Sequence, residues 1–482
     1  MESNSDRAKQ EFINGINSYN GKDYLSAENS FLKSLELSPG RLSIIGNLIK
    51  VYVVTKQHKK LNEILKDYEF DNNPNVVFGK AFSFYFNKDY QKSINLCHQL
   101  IIYKDLKYPI QDLLASNYKK LNNFVESLKV YKMKLLENKN DFKIYYNIAC
   151  LFFELGKIYK ASFYFEKSKK LNSTDADINW RLSLCKICLE DFEEGFKLYE
   201  NRWVRKNHPK KKFSEINFPK TISDLKNKRI LIWDEQGLGD TLQFSRFVID
   251  LEKFTKNITF VVSKKLYPIL KNLSSNVDVK NYDEINQSNF DYQIPVCSLP
   301  MFLNVFKKEE IKFYRLKIKE NNDLKKIFRS KNFKIGIALS GNPYYPMDKY
   351  RSIPFKNFEP LLKIKNVEFY NLSNNKNEEE NFNKNINQNC FNFGDKSLLE
   401  IAQLMNNLDL IVSCDSSIIH LAGILDLKSF LLLNHNADWR WLGESKKTIW
   451  YPSVEIIKQN KFNSWDFVFK NLISIIQKKR AE

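Results

Sequence analysis

Residues 229–247 read RILIWDEQGLGDTLQFSRF. Four consecutive apolar residues, Ile230, Leu231, Ile232 and Trp233, predict a strand covered on both faces, since a half-exposed strand would alternate. The segment 234–240, DEQGLGD, predicts a tight turn, and from Thr241 onward apolar and polar residues recur at helical spacing. Strand, two-glycine turn and helix start make the opening unit of a doubly wound parallel sheet, whose ligands bind beyond the carboxyl ends of the strands. Gly237 and Gly239 allow positive φ and close backbone approach, with the free N–H groups of the next helix facing the site. Asp240 then stands at the mouth of the cleft, where it either caps the helix or carries chemistry. Leu242 occupies the place of the third glycine of a dinucleotide fingerprint, which weakens an NAD reading.

Downstream, short β-rich runs alternate with amphipathic stretches. Strands are expected at 229–233, 258–262, 277–279 and 291–296, followed by a helix at 299–306. A charged stretch, 307–331, separates this half from a second set of strands at 334–339, 367–372, 391–393, 408–413, 429–433 and 454–457. Helices are expected at 397–407, 417–425 and 464–477. Strands separated by helices imply one parallel sheet in each half, and two such domains facing each other form a cleft between their strand ends.

Upstream, a different period governs. In the run NGINSYNGKDYLSAENSFLKSLELSP, Gly15, Ala27, Phe31, Ser34 and Pro39 occupy the small, small, aromatic, small and proline places of a helical-hairpin repeat. The place of Ala27 recurs at Leu61, Ser93, Ser127, Ala161 and Gly195, with gaps of 34, 32, 34, 34 and 34. The other small place recurs at Ala81, Ala115, Ala149 and Ser183, each 12 before its partner. The spacing resembles the tetratricopeptide family and predicts about six stacked hairpins over 1–206. Such arrays present a concave face to a peptide or protein, although a purely architectural role is also open. The acidic triplet Asp175-Ala176-Asp177 is read as solvated capping, and Trp203 as an anchor between the array and the next domain. A basic connector, 207–228, leads to an N-terminal lobe at 229–325 and a C-terminal lobe at 326–482.

The length of 482 residues suits about three domains, and 43% hydrophobic content excludes a disordered chain. The net charge of +20 is spread over both halves apart from a cluster at 206–212, so nucleic-acid binding is not expected. A mildly basic surface leaves an anionic sugar nucleotide or peripheral contact with anionic lipid open. The polar start MESNSDRAKQEF and the lack of an 18-residue apolar run predict a cytoplasmic protein. Seven scattered cysteines, of which only Cys185 and Cys188 are close, predict reduced thiols and no zinc site.

Four stretches together resemble the heptosyltransferase-type (family 9) glycosyltransferases, and more closely the bacterial proteins that join tetratricopeptide repeats to such a domain. They are FEEGFKLYENRW (192–203), DEQGLGDTLQFSRF (234–247), ALSGNPYYPMDKYRSIPF (338–355) and DSSIIHLAG (415–423), with DWRW at 438–441 as a further match. The layout is also similar to that of O-linked N-acetylglucosamine transferases. The resemblance implies an α-solenoid followed by α/β, two facing Rossmann-like domains of GT-B type. It implies transfer of a sugar from a nucleoside-diphosphate donor, as co-substrate, to a hydroxyl on an acceptor protein or glycan selected by the repeats. Asp240 matches the proposed general base, and Lys349 and Arg351 match cationic contacts to the donor diphosphate. Asp415, Ser416, Ser417 and His420 match the donor-binding turn and helix start, with Gly237, Gly239, Thr241, Gln243, Ser340 and Asn342 also expected on the donor side.

A positioned carboxylate suits proton removal from the acceptor, and cations with a helix N-terminus suit the departing diphosphate. With no Asp-X-Asp at a strand end in this half, a divalent metal is not expected, and a single displacement predicts inversion. Structural readings stand beside these roles. His420 equally reads as a packed core histidine, Asp415-Ser416 as an ordinary helix start, and Arg351 as the partner of a surface carboxylate. Trp439 and Trp441 read as packing residues. The rival function is a non-catalytic repeat scaffold whose α/β part only binds a ligand or partner.

Overall fold

The small-residue spacing of the first two hundred residues folds as helical hairpins. The computed structural model describes residues 3–206, 209–328, 330–345, 348–385, 389–441 and 446–479. Its first hairpin pairs Asn4–Asn20 with Tyr24–Leu37, and the last pairs Ala176–Cys188 with Phe192–Tyr199. The turns between paired helices carry a left-handed residue at Lys22, Lys56, Lys88, Asn122, Gly156 and Glu190, with intervals of 34, 32, 34, 34 and 34 that reproduce the sequence period. Small side chains allow hydrogen bonds directly between backbones and hydroxyls of neighbouring helices. Ser93 Oγ donates to the carbonyl of Ala81 at 2.8 Å, and Ser127 Oγ to that of Ala115 at 2.8 Å.

The chain forms two compact units, Met1–Leu151 and Phe152–Glu482. The sequence reading puts the division near 206. The two divisions differ in kind: the last repeat helices share a core with the α/β part, where Leu184, Ile187, Phe192, Phe196 and Tyr199 are buried together with Phe244, Phe247 and Leu299.

In the second unit β1 (Ile230–Trp233), β2 (Ile258–Val262), β3 (Val277–Asn281) and β4 (Tyr292–Pro295) form a parallel sheet in the order β3-β2-β1-β4. A second sheet contains β5 (Phe333–Ala338), β6 (Val367–Asn371), β7 (Cys390–Asn392), β8 (Leu410–Cys414), β9 (Ser429–Leu433) and β10 (Val454–Lys458). Its order is β10-β9-β8-β5-β6-β7, and every pairing is parallel. Each expected strand is present. The four residues of β1 and the five of β8 are all buried, as apolar runs covered on both faces require. The helix expected at 299–306 is confined to Leu299–Phe302.

The described residues thus form a helical repeat array followed by two parallel, Rossmann-like sheets, as the sequence reading expects. In the first sheet the chain order reverses between β1 and β4, and in the second between β5 and β8. Ligands of open parallel sheets bind at such reversals, beyond the carboxyl ends of the strands. The segments that leave β1, β5 and β8 are those singled out by the sequence: 234–240, 339–351 and 415–420.

The connector lies on the first sheet. Lys212 Nζ is 3.2 Å from Asp234 Oδ1 and 4.2 Å from the Tyr282 ring centroid, and Ile216 is buried. Part of the local basic cluster is therefore committed to the lobe itself. Among the described residues no helix is long and apolar enough to cross a membrane.

Candidate functional site

The turn after β1 is organised by side chains that each have a separate partner. Asp234 Oδ2 accepts from the Ser263 N–H at 2.8 Å. Glu235 is buried and receives Arg202 on both oxygens, Nε at 3.0 Å and Nη2 at 2.7 Å. Burial nevertheless holds the Glu235 carboxyl above its usual range, against the opposing pull of Arg202. Gln236 donates to the Tyr199 hydroxyl at 2.6 Å, so the last repeat helix braces the turn.

Two details differ from the sequence reading. The left-handed residue is Gln236, at φ 61°, while Gly237 is extended at φ −98° and ψ 172°. The helix begins at Leu238 and not after the turn, and runs to Leu251. Gly239 and Asp240 therefore occupy its first turn. The glycine at 239 is required by close approach: a Cβ there would stand 2.6 Å from His420 Cδ2, in the other lobe. Asp240 does cap the helix, its Oδ2 accepting from the Gly237 N–H at 2.8 Å. Its Oδ1 makes an ion pair across the lobes with Arg440 Nη2.

The opposite wall is built from the ends of β8 and β9. Ser416 Oγ accepts from the Ile418 N–H at 3.3 Å and caps the helix Ser417–Ile424. On that helix His420 is buried, with Nδ1 2.9 Å from the Tyr451 hydroxyl and its ring 4.9 Å from that of Trp441. Burial, with Arg440, Arg246 and Arg351 nearby, pushes its pKa well below the ordinary value, so the ring is neutral. Asp415 is raised to about 6, by burial first and then by the negative charge of Asp438, against the opposing pull of Arg351 and Arg440. Arg440 also contacts Asp438 Oδ1 at 2.6 Å and Gln236 Oε1 at 3.1 Å. Its guanidinium carbon lies 4.4 Å from the Trp439 ring centroid.

The segment after β5 supplies the third wall. Arg351 Nε is 2.9 Å from Asp348 Oδ1, and the guanidinium lies against Tyr345 and within electrostatic reach of Asp415. Lys349 is exposed, with its ammonium 4.7 Å from the Tyr350 ring centroid. Asn342 is exposed and accepts from the Tyr344 N–H at 3.1 Å. Ser340 Oγ donates to the buried Glu378 at 2.6 Å, which also accepts from the Leu339 N–H at 2.7 Å.

Asp240, Gly239, Asp415, His420 and Arg351 are thus brought to one cluster. Thr241 and Gln243 are not at its surface: both are buried, and the Thr241 hydroxyl turns back to the Gly237 carbonyl at 3.3 Å. Both polar atoms of the Gln243 side chain are buried without a protein partner. Trp439 and Trp441 are buried, as packing residues should be. Asp175 caps its helix through the Asp177 and Ile178 N–H groups.

Sequence reasoning gives no role to Arg440, Asp438, Glu378 or Arg202, although 438–441 and 192–203 are among the stretches that carry the resemblance. Arg440 is within its reach, as a lone cation between two tryptophans in the loop after a strand. Among the described residues no group of three or more His, Cys, Asp or Glu side chains is placed to hold a metal. A groove of about 530 Å³ lies elsewhere, in the first unit, between residues that include Lys50, Val54, Phe82, Tyr85 and Asp112.

The tetratricopeptide repeat model matches residues 142–175. Protein FlbA of Caulobacter vibrioides is 23% identical over 358 residues, covering 67% of this chain and 59% of that protein. This chain therefore spans less than two thirds of the curated relative it matches. The structure of E. coli ADP-heptose lps heptosyltransferase II aligns over 52% of this chain and 99% of its own, at 13% identity and a TM-score of 0.36. Pseudomonas aeruginosa pilF aligns over 41% of this chain and 90% of its own, at 14% identity and a TM-score of 0.34.

Proposed function

We propose that the chain is an inverting glycosyltransferase that moves a sugar from a nucleoside diphosphate to an acceptor hydroxyl without a required metal. The observation that carries this reading is the meeting of two strand-end reversals at one cluster. Asp240 leaves the first sheet and contacts Arg440 of the second, beside Asp415, His420 and Arg351.

In the proposed step the acceptor oxygen attacks the anomeric carbon and its proton passes to Asp240 Oδ1. The carbon–oxygen bond to the diphosphate breaks, and its electron pair leaves with the phosphate oxygen. A positioned base of this kind contributes roughly 10²–10⁴-fold. The departing charge is met by Arg351, Lys349 and the N-terminus of the Ser417–Ile424 helix. Neutral His420 offers its ring without adding charge beside Gly239. The repeats supply the acceptor contact, with the apolar groove of the first unit suited to a peptide side chain.

A panel of nucleotide sugars tests the proposal by thermal shift and by release of nucleoside diphosphate. One donor should raise the unfolding temperature and turn over in the presence of acceptor. Stabilisation by a donor without turnover under any acceptor condition would favour the ligand-binding scaffold. No response to any donor would remove the nucleotide-sugar reading.

A further inference from the structure

Arg440 is held by carboxylates from both lobes. One side of its guanidinium meets Asp240 and the other meets Asp438, with Gln236 as a further acceptor. Its backbone is fixed as well, since its carbonyl accepts from the Trp450 indole N–H. Trp439 and Trp441, both buried, clamp the loop on either side. What remains free to change is the direction of the guanidinium.

Asp240 has the complementary problem. Its Oδ2 is occupied by the Gly237 N–H at 2.8 Å and its Oδ1 by Arg440. Each oxygen keeps a second lone pair, but the oxygen paired with a guanidinium has less room for an acceptor hydroxyl while that contact lasts. The backbone contact belongs to the helix start, so the contact with Arg440 is the one that can be exchanged.

We propose that Arg440 is a donor-binding residue that exchanges its partner. It leaves Asp240 for the diphosphate of an incoming nucleotide sugar, and so frees the base only once the donor is in place. This rests on the glycosyltransferase reading above. A fork of guanidinium N–H groups matches phosphate oxygens in pairs, and a diphosphate brings more negative charge than one carboxylate. The exchange couples donor binding to base availability and makes donor-first binding the productive order. While Asp240 holds Arg440, the affinity for the diphosphate is reduced by the fraction of time the cation is engaged.

The test is a double-mutant cycle on the full chain, using UDP, GDP, ADP and dTDP as probes in calorimetric titrations. Arg440→Gln should weaken the diphosphate that binds by about tenfold or more, as loss of a charged fork contact does. Asp240→Asn should tighten it by about threefold or more, because Arg440 is released. In Arg440→Gln/Asp240→Asn the gain should vanish, leaving the affinity of Arg440→Gln alone.

Persistence of the Asp240→Asn gain without Arg440 would show plain charge repulsion and overturn the exchange, as would no gain in the single variant. Either result leaves the glycosyltransferase reading intact. Failure of every diphosphate to bind the wild-type chain would overturn both. If Arg440→Gln does not fold, Arg440→Met, which keeps the length and loses the charge, replaces it in the cycle.

Discussion

Gly239→Ala probes the closest contact between the two lobes. The added methyl would stand 2.6 Å from His420 Cδ2, 3.2 Å from Nε2 and 3.3 Å from Cγ. Ordinary carbon contact begins near about 3.5 Å, so something must move by nearly 1 Å. The imidazole has little freedom to retreat, being buried, bound to the Tyr451 hydroxyl at 2.9 Å and packed on Trp441. Overpacking of this kind costs about 1–3 kcal/mol. Alanine's better helix propensity at this helical position returns up to about 1 kcal/mol. The net expectation is a loss of about 1–2 kcal/mol, read by urea unfolding of the full chain.

Gly237→Ala is the internal comparison. That residue is at an ordinary φ of −98°, and its Cβ would meet only Asp240 Oδ2, at 3.1 Å. Its cost should stay below about 1 kcal/mol, as a glycine cap replaced by alanine does. In a His420→Ala background the effect of Gly239→Ala should reverse sign, because only the propensity gain remains. A Gly239→Ala loss that persists unchanged without the imidazole would refute the steric account.

Two further expectations come from buried charge. Arg202→Ala should destabilise the second unit by about 3–5 kcal/mol in denaturant unfolding, because it strands Glu235, whose side chain is 3% exposed, without its bidentate partner. Asp415→Asn should raise stability at neutral pH. The folded pKa lies at about 6, against 3.8 for the free side chain, so the folded chain holds the proton more tightly. The associated stability is present below pH 3.8 and is lost as pH rises to about 6, at most about 3 kcal/mol at 1.36 kcal/mol per unit. Wild type should decline across that window relative to Asp415→Asn. His420, depressed and therefore opposite in slope, is common to both chains and cancels in the difference.

What the sequence discloses depends on whether the signal is local. β1 and β8 are legible because a strand covered on both faces needs an unbroken apolar run. The repeats are legible because close helix packing demands small residues at a fixed period, and the left-handed turns keep the same intervals. The start of the Leu238–Leu251 helix is misplaced because Gly239 and Asp240 are poor helix formers that tertiary packing overrides. The positive φ falls on Gln236 because that side chain is held by Tyr199 and Arg440, partners remote in sequence.

The same reason hides the contact at the centre of the site. Asp240 and Arg440 are 200 residues apart, and no periodicity joins them. The unit boundary near residue 151 is equally hidden. It depends on Phe192, Phe196 and Tyr199 finding their cover in the α/β part and not in another repeat.

The most direct test of the central claim is single-turnover transfer by Asp240→Asn with the donor identified from the panel. If Asp240 is the base, the variant should bind the nucleotide sugar at least as well as wild type and transfer it about 10²-fold or more slowly. Transfer at the wild-type rate by Asp240→Asn would contradict the account.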